Sequence, residues 1–170
     1  MCVFIKSCDF RTIFVGIYLI LFGAYLVIGA EPARANHYEI SATLSAPSIN
    51  LNSAVTTLSL NNGHLDTPDY IAGSFQNSAN KTLIIGHSTT VFQNLDAIQA
   101  GDAIIYNDTV FRVASTSIVA KSDINMKKLL QGSSTETIVL MTCAGTDLGH
   151  GDATHRLLVT ATASPLANVL

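Results

Sequence analysis

Residues 136–142 read Glu-Thr-Ile-Val-Leu-Met-Thr, and residues 155–163 read His-Arg-Leu-Leu-Val-Thr-Ala-Thr-Ala. Both runs are short, rich in β-branched and apolar residues, and set among Gly, Ser and Asp, which is how strands read. The same texture recurs upstream at 38–44, 55–60, 69–73, 81–87, 102–107 and 109–119. Eight short strands with short links predict an all-β fold, a closed barrel or a sandwich, and not alternating βαβ units. Within 109–119, Phe111, Val113 and Ser115 alternate with Arg112, Ala114 and Thr116, the pattern of a half-exposed strand. Segments 46–54 and 61–68 hold Pro47, Gly63, Pro68 and several Asn and read as loops. Two links read as short helices. Phe92, Leu95 and Ile98 fall at helical spacing before Gly101, and Asp123 can cap a turn carrying Met126, Leu129 and Leu130 that ends at Gly132.

The chain has 170 residues, a formal charge of -3, 48% hydrophobic and only 12% charged residues. That composition excludes a disordered chain, and without a Lys/Arg block no nucleic-acid partner is expected. The apolar residues are concentrated at the start. Between Arg11 and Glu31 lie the 19 uncharged residues 12–30, of which 15 are apolar. As a helix they would span about 28 Å, the thickness of a hydrocarbon core. Lys6 and Arg11 precede this segment, so the positive-inside rule places the N-terminus in the cytoplasm. The expected organisation is a cytoplasmic stretch 1–11, a single-pass transmembrane signal-anchor 12–30, a juxtamembrane linker with the first strand over 31–54, and a catalytic barrel over 55–170. The barrel's first strand starts near residue 38. A cleavable signal peptide ending near Ala33-Arg34-Ala35 is the alternative, although its apolar region would be shorter than this one. Either way the domain from residue 36 onward is expected outside the cell membrane, with six basic and ten acidic side chains, 6 - 10 = -4.

Cys2 and Cys8 precede the apolar segment, so Cys143 is the only cysteine on the exported side. A lone thiol in an oxidising space is a liability unless it is buried or used. Cys143 follows Ile-Val-Leu-Met-Thr and precedes Ala-Gly-Thr-Asp, which reads as a strand end opening into a loop, where reactive groups are often held. A buried, inert cysteine is the other reading. A thiol with a reference pKa near 8.5 needs a proton partner and a cation to act as a nucleophile at neutral pH. His87 closes the run Leu83-Ile84-Ile85-Gly86, another strand terminus, whereas His37 and His64 lie in loops. Arg156 opens the last strand. It suits a developing oxyanion, or else a surface ion pair with Asp147 or Asp152. A zinc site from Cys143, His150, Asp152 and His155 is a rival, but C-x6-H-x4-H matches no compact zinc spacing.

In order along the chain, these residues resemble the sortase family, the membrane-anchored cysteine transpeptidases of bacterial surfaces. The family's T-L-x-T-C motif is matched by Val139-Leu140-Met141-Thr142-Cys143, with Val in place of the first Thr, and its histidine segment by Leu83-Ile84-Ile85-Gly86-His87-Ser88. Phe92, Leu95, Ile98, Gly101 and Asp102 follow the family pattern after the histidine. His155-Arg156-Leu157-Leu158-Val159 matches its arginine motif, and Gly63 to Pro68 its entry to the third strand. The likeness covers about residues 55–163 and is nearest to the shorter class D, E or F types.

The resemblance implies a closed eight-stranded β-barrel with Cys143 as nucleophile, His87 as proton carrier and Arg156 at the oxyanion, and with Thr142, Ser88 and Leu140 touching substrate. It implies cleavage of an L-P-x-T-G-like sorting signal on secreted proteins and transfer to an amine on a peptidoglycan precursor or a pilin lysine. The connection 120–135, with Lys121, Lys127 and Lys128, lies where the family selects its signal. Only Asp123 and Glu136 stand there as acids, so neither calcium nor any other cofactor or metal is expected. A sortase-like thiol hydrolase and a non-catalytic binding barrel are the competing functions.

Overall fold

The computed structural model describes residues 38–61, 64–149 and 152–164. The expected membrane segment 12–30, Cys2, Cys8 and His37 therefore lie outside the described residues, as does His150 of the zinc alternative. The described residues form ten strands: β1 (Ile40–Ala46), β2 (Leu51–Thr57), β3 (Leu60–Asn61), β4 (His64–Leu65), β5 (Ala72–Ser78), β6 (Lys81–Ile85), β7 (Ala103–Tyr106), β8 (Thr109–Ala120), β9 (Thr137–Gly149) and β10 (Asp152–Ala163). Eight close into a barrel in the order β1-β2-β5-β6-β9-β10-β8-β7, while β3 and β4 form a separate two-stranded ribbon. The eight barrel strands correspond to the eight runs read from the sequence.

Local chemistry explains the turns. The β7–β8 hairpin joins Tyr106 to its partner Thr109 through Asn107 (φ 46°) and Asp108 (φ 65°), the two left-handed residues that a tight hairpin of this hand requires. Asn50 (φ 54°) follows a single 3-10 turn, Pro47–Ile49, and reverses the chain into β2. That turn is tight enough for β2 to begin at Leu51, so the expected loop over 46–54 shrinks to four residues. The run 69–73 instead leads into a strand that starts at Ala72.

Inside the barrel, Leu44, Val55, Ile84, Ile104, Phe111, Leu140 and Val159 are fully buried. Each contributes on the order of 1.5–3 kcal/mol by leaving water. Phe92, Leu95 and Ile98 join this core as expected, but their segment is a run of turns with one 3-10 turn, Leu95–Ala97, and no α-helix. The other expected helix exists as α1 (Met126–Leu129), capped by Asn125, whose side chain accepts from the Lys128 N–H at 3.1 Å. Asp123 ends the preceding 3-10 turn and is not the cap.

Two pairings matter for function. β6 and β9 run parallel, with Ile85 opposite Met141, so both C-terminal ends emerge at one end of the barrel. β9 and β10 form a long antiparallel hairpin in which Arg156 is the direct partner of Cys143. β9 does not stop at Cys143, as its Ala-Gly-Thr-Asp sequel suggests, but continues to Gly149. Gly145 (φ 80°) and Gly149 (φ 84°) let the strand pass irregularities in its register with β10. A Cβ on Gly145 would stand 2.6 Å from Thr154 Oγ1 and 2.7 Å from His155 Nδ1.

Gly86, just past β6, has a packing requirement of its own. A Cβ there would stand 2.8 Å from the ring of Phe92, a core residue whose N–H donates to the His87 carbonyl at 2.9 Å. Gly86→Ala is expected to cost about 1–3 kcal/mol by overpacking. Thermal melting of the variant beside the wild-type chain checks it.

Candidate active site

Alternation along β9 sends Ile138 and Leu140 into the barrel core and Val139, Met141 and Cys143 to the opposite face. Cys143 is half-buried there. On one side its neighbour is Arg156 of β10, whose Cβ stands roughly 5 Å away in any such direct pair. On the other side the β6–β9 ladder continues one step past Ile85, through the Gly86 N–H donating to the Met141 carbonyl at 3.3 Å. That step brings His87 to the level of Cys143. Thr142 secures the junction: its buried hydroxyl donates to the Gly86 carbonyl at 2.7 Å. The nucleophile candidate is thus flanked by a histidine from one neighbouring strand and an arginine from the other.

His87 is 31% exposed at its side chain, and its Nε2 lies 3.7 Å from Asp69 Oδ1. Asp69 is anchored through its carbonyl, which accepts from the Thr90 hydroxyl. The sequence reading missed Asp69, since 18 residues separate it from His87 and nothing local joins them.

Arg156 is only 15% exposed at its side chain and is held by three acceptors. Nη1 donates to the Ala153 and His155 carbonyls at 2.8 and 2.9 Å, and Nη2 donates to Asp152 Oδ1 at 2.6 Å. A guanidinium has five N–H donors, so Nε–H and one Nη2 proton remain for a ligand. Arg156 thus makes the ion pair with Asp152 and also lines the groove described next. The other Asp152 oxygen accepts from Lys121 Nζ at 2.5 Å. Lys121 and Arg156, with help from the Ala153 N–H, hold the Asp152 carboxyl well below the usual carboxylate range. Because its native pKa is depressed, any stability the cluster adds is present above the unfolded carboxylate range near pH 4 and is lost as pH falls toward the native value. Asp152 is thus ionised throughout the neutral range.

Beside these residues lies a groove of about 530 Å³. Phe75 of β5, Ile85 of β6 and Met141 of β9 contribute to it, together with Leu60 and Leu65 of the small ribbon, Met126 and Leu130 of the 120–135 connection, and Arg156. The 120–135 connection is tied to the end of β5 by the Ser78 hydroxyl, which donates to the Leu130 carbonyl at 2.7 Å. The groove is mainly apolar, as a site for an extended apolar peptide should be. Of Cys143, His87 and Arg156, only Arg156 lines this groove, and none of them lines a second cavity of about 380 Å³ bordered by Asn50, Tyr70 and Asn94.

Of the expected substrate contacts, Leu140 is corrected. It is 0% exposed and belongs to the core, whereas its neighbour Met141 lines the groove. A period-2 strand admits only one of two adjacent residues to each face. Thr142 points inward to Gly86 and positions the strands, and Ser88 is half-buried in the turn after His87. For the zinc alternative, Asp152 is engaged by two cations and His155 Nδ1 lies 2.8 Å from Thr154 Oγ1.

A family model described as Sortase domain matches residues 44–164. A search of curated proteins returns no match. Among solved structures, the chain is similar to the lid mutant of sortase A from Corynebacterium diphtheriae, at 24% identity and TM-score 0.61, covering 81% of this chain and 76% of that one. It is also similar to sortase C1 from Streptococcus agalactiae, at 19% identity and TM-score 0.57, covering 96% and 92%. A sortase D5 transpeptidase from Clostridium perfringens matches at 21% identity and TM-score 0.55, covering 76% and 83%. These likenesses show the fold. They span A, C and D types and do not single out the shorter ones.

Proposed function

Because the chain belongs to the sortase family, we propose that it is a cysteine transpeptidase that cleaves an L-P-x-T-G-like sorting signal and joins the product to an amine. The observation that carries this reading is Cys143 on β9, with Arg156 as its direct partner and His87 at its level, beside an apolar groove. The Cys143 thiolate attacks the carbonyl carbon that follows the Thr side chain, and the free donors of Arg156 stabilise the tetrahedral oxyanion. The C–N bond breaks as His87 donates a proton to the departing Gly amine, leaving a thioacyl-enzyme. An incoming amine loses its proton to His87 and attacks the thioester. The C–S bond breaks, and Cys143 is regenerated as thiolate.

The substrates on this reading are secreted proteins with a C-terminal signal. The acceptor is a peptidoglycan precursor or a pilin lysine, and the enzyme works outside the cell membrane behind a single-pass N-terminal anchor. The test incubates the full-length chain with a quenched L-P-x-T-G peptide, with and without triglycine. The expected products are a thioacyl adduct at Cys143 and, with triglycine, a new peptide amide. Hydrolysis alone, unchanged by triglycine, would replace transfer with the thiol-hydrolase function. Absence of both adduct and cleavage would overturn the enzymatic reading.

A further inference from the structure

The groove does not end at the apolar residues that face the sorting signal. Asn77 and Leu130 line both it and an adjoining cavity of about 630 Å³, which is also bordered by Asn125, Lys127, Lys128 and Gln131. Lys127 and Lys128 are exposed on α1, and among the described residues neither makes an ion pair or hydrogen bond through its ammonium group. No acidic residue among the described ones lines this second cavity, although Asp123 borders a neighbouring one with Lys128. It is a positive mouth adjoining the groove.

Strand register says which part of a substrate reaches that mouth. Phe75 pairs with Leu83, and Leu83 with Val139, so Phe75 lies four β9 residues before Cys143. Ser78 pairs with Lys81, and Lys81 with Thr137, six residues before Cys143. Asn77 falls between these levels, roughly 13–20 Å from Cys143 at the rise of an extended strand. The acyl half of the substrate must stay bound after the leaving half departs, and it carries the apolar Leu and Pro that suit the groove. With Thr at Cys143 and the peptide extended along the groove, its Leu lies three residues back and the one or two residues before that Leu lie beside Asn77, Lys127 and Lys128.

We infer that Lys127 and Lys128 select sorting signals preceded by acidic residues, in the one or two positions before the Leu. This inference rests on the transpeptidase reading and adds a specificity element to it. Exposed lysines act through screened charge, so the effect is modest and salt-dependent.

The test compares kcat/KM of the full-length chain for three quenched peptides that share one L-P-x-T-G core and carry Glu-Glu, Gln-Gln or Lys-Lys immediately before it. The Glu-Glu peptide is expected to exceed the Lys-Lys peptide by about fivefold at low salt, with Gln-Gln between them and the gap closing at high salt. The doubly reversed variant Lys127→Glu/Lys128→Glu is expected to invert the order of the Glu-Glu and Lys-Lys peptides. Equal values for all three peptides would overturn the inference and leave the transpeptidase reading intact. No turnover of any of the three, with no adduct at Cys143, would overturn that reading and the inference with it.

Discussion

Cys143→Ala is expected to reduce turnover of a sorting-signal peptide by at least about a thousandfold, since loss of a nucleophile removes the covalent route entirely. Peptide binding should survive. The side chain lies beside a groove whose floor and walls are formed by Phe75, Ile85, Met141, Leu60 and Leu130, none of which depends on the sulfur. Fluorescence anisotropy of a labelled peptide should therefore give a similar Kd for both proteins, while mass spectrometry finds no thioacyl adduct on the variant. His87→Ala should retain slow adduct formation with turnover lowered by about 10²–10⁴, the range for loss of a positioned proton carrier. If Cys143→Ala kept wild-type turnover, the thiol would be a structural half-buried cysteine and the thioacyl-enzyme mechanism would fall.

Arg156→Lys is expected to lower kcat by about 10²–10³ with little change in KM, the signature of an interaction made mainly in the transition state. Lysine keeps the charge but not the fork. It cannot hold the Ala153 and His155 carbonyls and Asp152 and still offer two donors to an oxyanion. Asp152 is a positioning residue in this arrangement, because it orients the guanidinium while Lys121 shares its other oxygen. Asp152→Asn should lower kcat by about tenfold, less than Arg156→Lys, because the two carbonyl acceptors on Nη1 remain. Asp152→Glu should restore part of the loss. Steady-state kinetics at neutral pH separate these cases, and a parallel rise in KM across the series would instead place Arg156 in substrate binding.

The strands were legible because β-branched and apolar runs of period 2 can satisfy their backbone and bury one face only in a sheet. Eight such runs were enough to predict an all-β barrel or sandwich, and the resemblance to the sortase family chose the closed barrel. The order of the His87, Cys143 and Arg156 motifs was equally local in origin. What was not legible depended on partners far along the chain. Residues 144–149 read as a loop because they lack an apolar pattern. They form strand because β10 supplies a hydrogen-bonding edge and Gly145 and Gly149 absorb the register irregularities. Leu140 was placed at the substrate and Met141 was not, because a motif gives residue identity but not which face of the strand meets the core.

The Asp69 contact to His87 and the Lys121 contact to Asp152 join residues 18 and 31 positions apart, and no local pattern pairs them, whereas the Asp152–Arg156 pair, four positions apart, was open to the sequence. The local chemistry of the chain thus set its strands, its tight turns and the identity of the three candidate side chains, Cys143, His87 and Arg156. Their convergence at one end of the barrel came from the parallel pairing of β6 with β9 and the antiparallel pairing of β9 with β10. Strand pairing is a long-range contact between backbones whose hydrogen-bonding groups are alike in every residue but proline. Side-chain pattern can therefore announce a strand, while the choice of its neighbours is made only when the barrel closes around a shared core.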